Sequence, residues 1–124
     1  MKYLGIDYGR SKIGLALSDG KLAEPYQVIR YKDFDKMIAH INRIIEKQKI
    51  EKVVVGVSEN EMGEESKEFA NFFKAETFDE TLSSHDAQEL SIASHMGRKK
   101  RKEMEDAFAA SIMLQNYIDS TNIN

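Results

Sequence analysis

The sequence contains no cysteine, one proline, seven glycines and three histidines. The absence of cysteine excludes disulfide bonds, cysteine-based zinc sites and thiol nucleophiles, and it fits a reducing compartment. With so little proline and glycine, no stretch of the chain has the composition of a linker, and the chain shows no internal repeat. We therefore predict that residues 1–124 form a single domain.

No apolar run approaches the roughly 20 residues that a membrane-spanning helix needs. Near the N-terminus, Asp7 interrupts the chain before the apolar region of a signal peptide could form. We therefore expect a soluble, cytoplasmic protein without a membrane partner. Acidic residues outnumber basic ones by 21 to 18, so composition alone does not indicate nucleic acid binding.

The spacing of the apolar residues predicts an α/β fold. Short runs at residues 2–7, 12–18 and 24–31 predict an antiparallel meander of three strands. The further predicted elements are a helix that Asp33 caps, a buried strand at 53–57, a helix at 64–74, a short strand at 77–79, a helix at 83–95 and a last helix at 102–117. The helix at 64–74 is expected to pack Phe69, Phe72 and Phe73 inward. This order of elements implies a mixed five-stranded sheet, in which the three-strand meander and two parallel strands are flanked by helices. The order of elements is similar to the order in RNase H-like folds.

One acid interrupts the first apolar strand. Asp7 lies in the run Gly5-Ile6-Asp7-Tyr8-Gly9, with glycines near it on both sides. A carboxylate buried without a partner is costly, so a functional Asp7 belongs at the strand end, where it meets a cation or hydrogen bonds. A simple turn explains the same residues equally well, because aspartate and glycine are common turn residues.

Further acids occupy positions that are unusual for carboxylates. Asp79 and Glu80 lie at the end of the fifth predicted strand, where ligands bind in parallel sheets. The alternative is that they support the positive N-terminal end of the next helix. Asp106 shares its predicted helix face with Ala110 and Met113, a face that is expected to touch the sheet. A partner lysine or arginine would be a sufficient structural reason for an acid there.

Considered together, three of these acids favour a shared site. Asp7, Glu80 and Asp106 come from the first strand, the end of a late strand and a helix that packs on the same sheet, with Asp79 as an alternative to Glu80. Hard oxygen ligands suit Mg²⁺ or Mn²⁺, and no cysteine or histidine cluster offers a site for softer metals. A pair of such ions activates a water and stabilises the leaving 3′ oxygen of a phosphodiester. The resulting hypothesis is a metal-dependent nuclease.

A basic run lies close to the last of these acids. It consists of Arg98, Lys99, Lys100, Arg101 and Lys102, and it precedes Asp106 by about one helical turn. Most charge runs are merely solvated, but this position favours contacts with phosphates, and Arg10 and Lys12 in the first hairpin extend the basic track. No aromatic residues are interleaved with the run, so sequence-specific reading of bases is not indicated.

Short motifs follow one another along nearly the full chain: Gly5-Ile6-Asp7-Tyr8-Gly9, residues 13–19, Val54-Val55-Gly56, residues 79–84, and residues 98–102 ahead of residues 106–110. This ordered set resembles the YqgF/RuvX family, although the first motif alone is shared with actin-like ATPases. The resemblance implies an RNase H-like fold in a family described as Holliday junction resolvases, with a role in maturing the 5′ end of small-subunit ribosomal RNA. It also implies that Asp7, Glu80 and Asp106 carry the metal-dependent hydrolysis.

The chain departs from the family in two places. Thr81 stands where the family usually has an arginine after the acidic pair, which removes one phosphate contact. After the central strand, Gly56-Val57-Ser58 replaces the family's Gly-Leu-Pro, and the loop that follows is acidic. These differences concern the substrate and the activity rather than the fold.

The leading hypothesis is therefore an endonuclease that uses Mg²⁺ or Mn²⁺ to hydrolyse phosphodiester bonds in structured nucleic acid, either branched DNA or precursor ribosomal RNA. The alternative is an RNase H-like binding module with weak or no turnover, and a third is an actin-like ATPase, for which one domain lacks the second lobe. The oligomeric state stays open between monomer and homodimer, because symmetric cleavage of two strands favours a two-fold dimer and single-site trimming does not.

Overall fold

The computed structural model describes residues 1–9, 11–57, 62–79 and 98–121, apart from the side chains of residues 62, 63, 79, 98, 100 and 101. The elements in these ranges are β1 (Tyr3–Asp7), β2 (Lys12–Ser18), β3 (Ala23–Arg30), α1 (Phe34–Lys47), β4 (Lys52–Val57), α2 (Met62–Asn71), β5 (Glu76–Asp79), α3 (Arg98–Glu103) and α4 (Glu105–Thr121). No helix within them is long and apolar enough to cross a membrane.

The five strands form one mixed sheet in the order β3-β2-β1-β4-β5. The strands β1, β2 and β3 form an antiparallel meander, while β4 runs parallel to β1 and β5 runs parallel to β4. Pro25 lies on the edge strand β3, beside a shift in register, where a missing ladder donor is tolerated. The predicted sheet of three antiparallel and two parallel strands is confirmed.

Each face of the sheet is covered by helices, because side chains of a strand alternate between its two faces. On one face, α1 and α2 bury Met37, Ile41 and Phe69 against Leu4 and Ile6 of β1. On the other face, α4 covers small and branched side chains. That second cluster contains Ala16, Val54, Ala110, Met113, Leu114, Tyr117 and Ile118.

The helices α1 and α2 agree with the sequence prediction except at their ends and in one aromatic side chain. Asp33 caps α1 as expected, since its carboxylate accepts a hydrogen bond from the Lys36 backbone amide at 3.2 Å. The prediction that α2 packs Phe72 inward is wrong: this ring is 59% exposed and lies edge-on to Phe34. Its neighbour Phe69 fills the core instead. The helix predicted at 83–95 lies outside the described residues.

The last predicted helix is two helices. The basic run forms α3, and α4 begins after Met104, where the Phe108 amide donates to the Met104 carbonyl at 3.0 Å. The first backbone hydrogen bond of α4 is thus accepted by Met104, the residue before Glu105. As a consequence, the basic run leads directly into the first turn of α4, which carries Asp106.

Candidate active site at the ends of the first two strands

Asp7 is the last residue of β1, at the carboxyl end of the strand. It pairs with Gly14 of β2 on one side and with Gly56 of β4 on the other. Residues that pair across strands share a face, so Asp7 lies on the face that α4 covers. Both strand partners are glycines, so neither places a side chain beside the carboxylate.

Gly14 brings α4 to this strand end. A Cβ atom placed on Gly14 would lie only 1.9 Å from the backbone oxygen of Asp106 and 2.7 Å from the amide nitrogen of Ala107. The first turn of α4 therefore rests on the bare backbone of Gly14, a distance that only glycine permits. Because Gly14 is the strand partner of Asp7, this contact sets Asp106 beside Asp7.

Asp7 and Asp106 line the same open pocket, which has a volume of about 250 Å³. The other lining residues are Tyr8, Gly9, Ser11 and Lys12, which form the end of β1 and the start of β2. Two acids that are remote in sequence, one from a strand and one from a helix, are thus neighbours in space. Their roles as metal ligands and catalytic residues stay predictions.

Lys12 supplies a positive charge in this pocket. Its Nζ atom lies 3.1 Å from Oδ2 of Asp106, and the two side chains are 41% and 28% exposed. A partner lysine or arginine is the structural reason that the sequence offers for an acid at position 106. Lys12 is that partner. Because such partly exposed pairs contribute only about 0–1 kcal/mol, another cation can replace the lysine at little cost.

Two tyrosines fix the chain that follows Asp7. The Tyr31 hydroxyl donates to the Gly9 carbonyl at 2.7 Å, and the Tyr31 backbone amide donates to the Ser11 carbonyl at 3.0 Å. Burial, followed by a hydrogen bond with Tyr8, raises the pKa of the Tyr31 phenol well above its usual range, so it stays a donor. The Tyr8 ring stacks on Phe69 at 4.5 Å. Sequence reasoning missed the contribution of Tyr31, although this residue follows β3 directly.

The remaining predicted site residues are not brought into this pocket by the described structure. Glu80 and Arg10 lie outside the described residues, as does Thr81, and of Asp79 only the backbone is described, paired with Val57. In the basic run, Lys99 and Lys102 are exposed on α3. The side chains of Arg98, Lys100 and Arg101 are not described.

The donor atoms of the pocket fit a hard divalent cation. Asp7 and Asp106 offer carboxylate oxygens, and the described residues that line the pocket include no histidine. Oxygen donors of this kind are those that Mg²⁺ and Mn²⁺ prefer. Within the described part of the chain, no three acidic or histidine side chains come together in a metal-binding group. A complete ligand set therefore requires the third predicted carboxylate, Glu80, or water.

A second charged cluster lies on the same face, away from the pocket. Lys52 of β4 pairs with Glu76 of β5 at 3.0 Å, and the Tyr117 hydroxyl of α4 donates to the same carboxylate. The hydrogen bond from Tyr117 and then Lys52 lower the pKa of Glu76. Burial and the hydrogen bond to Glu76 raise the pKa of Tyr117. This cluster joins three elements and is separate from the pocket, since Tyr117 follows Asp106 by about three turns of helix.

Comparison with known proteins places these features in one family. Residues 1–120 match the sequence model of RuvX, which is described as Holliday junction resolvase. The chain belongs to the RuvX family. A relative from Halothermothrix orenii, named as a candidate pre-16S rRNA nuclease, is 34% identical over 98% of this chain and 97% of its own. A relative of the same name from Listeria monocytogenes is 32% identical over 98% of this chain and 100% of its own.

Solved structures related to this RuvX chain share its fold. The fowlpox virus Holliday junction resolvase superposes with a TM-score of 0.64 at 12% identity, covering 97% of this chain and 99% of that one. RuvC of T. thermophilus in complex with a Holliday junction substrate has a TM-score of 0.57 at 14% identity, covering 98% and 95%. The predicted family and the RNase H-like fold class are both confirmed.

Proposed function

We propose that this RuvX protein is a cytoplasmic, single-domain endonuclease that uses Mg²⁺ or Mn²⁺ to hydrolyse phosphodiester bonds in structured nucleic acid. The observation that carries the proposal is the meeting of Asp7 and Asp106 in one open pocket with Lys12. Family membership supports the same activity, because Holliday junction resolvases and nucleases that trim precursor ribosomal RNA both hydrolyse phosphodiesters.

Asp7, Glu80 and Asp106 are the proposed metal ligands and catalytic residues. For Glu80 the support comes from its spacing in the sequence. Phe78 of β5 pairs with Gly56, the strand neighbour of Asp7, and its ring packs against Tyr117 of α4. Phe78 thus lies on the face of Asp7, two residues before Glu80 in the sequence. Asp79 remains the alternative ligand.

In the proposed reaction, a water oxygen attacks the phosphorus and the bond to the 3′ oxygen breaks, leaving a 5′ phosphate and a 3′ hydroxyl. Divalent ions held by the carboxylates of Asp7, Glu80 and Asp106 would supply activation of the water and stabilisation of the negative charge on the leaving oxygen. The chain's own residues hold the site in place: Gly14 sets Asp106 beside Asp7, and Tyr31 fixes the turn at Gly9.

Nucleic acid binding is proposed to follow a basic track on both sides of the pocket. The run Arg98, Lys99, Lys100, Arg101 and Lys102 leads into the helix turn of Asp106, Lys12 is the first residue of β2, and Arg10 precedes it by two residues in the sequence. Contacts of this kind bind phosphates without reading bases. The relatives' names point to precursor ribosomal RNA and the family description points to branched DNA, so both are proposed substrates.

The test incubates the purified protein with Mg²⁺ or Mn²⁺ and either a four-way DNA junction or precursor 16S rRNA, with linear duplex DNA for comparison. Wild type is expected to cleave one of the structured substrates, and Asp7→Asn and Asp106→Asn to lose at least about a hundredfold in rate. Glu76→Gln removes the same charge outside the pocket and should retain activity. Absence of cleavage by folded wild type above the Asp7→Asn background would contradict the proposal.

The same experiment distinguishes the alternative of a binding module. In its favour, Thr81 stands where the family usually has arginine. A module predicts salt-sensitive binding that weakens when residues 99–102 are neutralised and is largely retained in Asp7→Asn, together with no cleavage of any substrate.

A further inference from the structure

Lys12 occupies an unusual position for a residue of a nucleic acid track. Its ammonium group is held by Asp106 at 3.1 Å, inside the pocket where a divalent cation is proposed to bind. An ammonium group that neutralises a carboxylate contributes little to phosphate binding. In the free protein, therefore, Lys12 is not available as a phosphate contact.

A divalent ion and Lys12 compete for the same carboxylate. The lysine is a single charge on a flexible stem of four carbons, whereas Mg²⁺ or Mn²⁺ brings two charges and prefers carboxylate oxygens. Since the pair is partly exposed, its loss costs little. The displaced ammonium stays at the edge of the pocket, because Lys12 is anchored as the first residue of β2, four residues before Ala16 under α4.

We propose that Lys12 exchanges between Asp106 and a phosphate of the nucleic acid, and that a metal ion bound at Asp106 releases it for the phosphate. This inference rests on the proposed metal site. Its consequence is a reciprocal coupling, in which metal and nucleic acid each raise the affinity for the other. Loading of the site thereby adds one phosphate contact that the metal-free protein lacks.

The salt dependence of DNA binding measures this contact directly. The slope of log Kobs against log salt changes by about 0.9 for each phosphate neutralised on duplex DNA. Binding of a fluorescent four-way DNA junction is measured with and without Ca²⁺, a hard cation that takes the same oxygen ligands. Without Ca²⁺, wild type and Lys12→Gln should have equal slopes. With Ca²⁺, the slope of wild type should be steeper than that of Lys12→Gln by about 0.9.

A second comparison needs no metal. Asp106→Asn keeps the shape of the side chain but releases Lys12, so its slope without divalent ions should be steeper than that of wild type by about 0.9. The double variant Lys12→Gln/Asp106→Asn should return to the wild-type slope. Lys99→Gln is the matched control, because Lys99 is exposed on α3 and its loss should reduce the slope equally with and without Ca²⁺.

Metal affinity gives an independent readout without nucleic acid. Calorimetric titration with Mn²⁺ should show about two- to fivefold tighter binding to Lys12→Gln than to wild type, because the competing ammonium is gone. If the salt slope of Lys12→Gln is smaller than that of wild type by the same amount with and without Ca²⁺, the exchange is overturned. That result would mean that Lys12 contacts a phosphate whether or not a metal ion is bound. Failure of wild type to bind Mn²⁺ would instead overturn the proposed metal site, while the Asp106→Asn comparison would still decide whether the ion pair withholds Lys12.

Discussion

At the scale of single residues, the candidate site depends on a glycine that carries no chemistry. Gly14 is opposite Asp7 in the sheet and directly beneath the backbone of Asp106. Gly5, two residues before Asp7, also lies under α4, but there a Cβ atom would meet the Leu114 side chain at 2.9 Å. The two glycines thus differ in what a methyl group would displace, which is rigid backbone at Gly14 and mainly a side chain at Gly5.

We predict that Gly14→Ala destabilises the protein by about 3 kcal/mol or more and abolishes cleavage, because the first turn of α4 has to move away from Asp7. Gly5→Ala should cost about 1–2 kcal/mol and keep most of the activity. Urea unfolding and the junction cleavage assay measure both effects. Equal stability and activity of Gly14→Ala and wild type would show that α4 does not need this close approach.

The residues of the pocket were predictable to different degrees. Asp7 and Asp106 stood out because each places an acid on a surface that the periodicity marks as packed. Gly14 and Tyr31 did not stand out, because their contributions depend on distances between elements that are far apart in the chain. For Asp106 the sequence predicts a lysine or arginine partner, but it does not identify that partner as Lys12.

At the scale of elements, the cluster of Lys52, Glu76 and Tyr117 joins β4, β5 and α4. Tyr117 is 6% exposed and packs edge-on against Tyr3 and Phe78, so its hydroxyl is directed by the core. The ring also lies under the Lys52 ammonium, 5.8 Å from its centroid. The cluster holds the C-terminal part of α4 to the parallel half of the sheet.

This cluster makes stability depend on pH in a defined direction. The pKa of Glu76 is lowered in the folded state from its ordinary value of 4.5 by Tyr117 and then by Lys52. Its stabilisation is therefore complete above that ordinary value and is lost as the pH falls through the lower, folded pKa. Glu76→Gln should lower the free energy of unfolding by about 0.5–1 kcal/mol at pH 7.

Urea unfolding of wild type and Glu76→Gln between pH 2 and pH 7 tests this prediction. The difference between the two proteins should shrink below about pH 4.5 and vanish at the acid end of the series. Tyr117→Phe removes the larger of the two causes and should reduce the same pH-dependent difference. A gap that is constant over the whole pH range would mean that the carboxylate charge does not stabilise the fold.

At the scale of the whole molecule, the sheet and its layers followed from the sequence because strand and helix periods differ and because the meander precedes the helices. The division between α3 and α4 did not follow, since Met104 breaks the helix without proline or glycine. The exposed ring of Phe72 was also missed, because three aromatic residues in α2 and its end compete for one core and only Phe69 fills it completely.

The last prediction concerns the response of the whole fold to metal. A ligand that binds only the folded state stabilises it by about 2.7 kcal/mol at one hundred times its dissociation constant, which raises Tm by roughly 10 °C in a domain of this size. Thermal unfolding of wild type with Mn²⁺ should show this rise, and Asp7→Asn should show little of it. Glu76→Gln loses the same charge outside the pocket, so it should start from a lower Tm and still gain the full increment. An equal gain in Asp7→Asn and wild type would place the stabilising ion outside the pocket of Asp7 and Asp106.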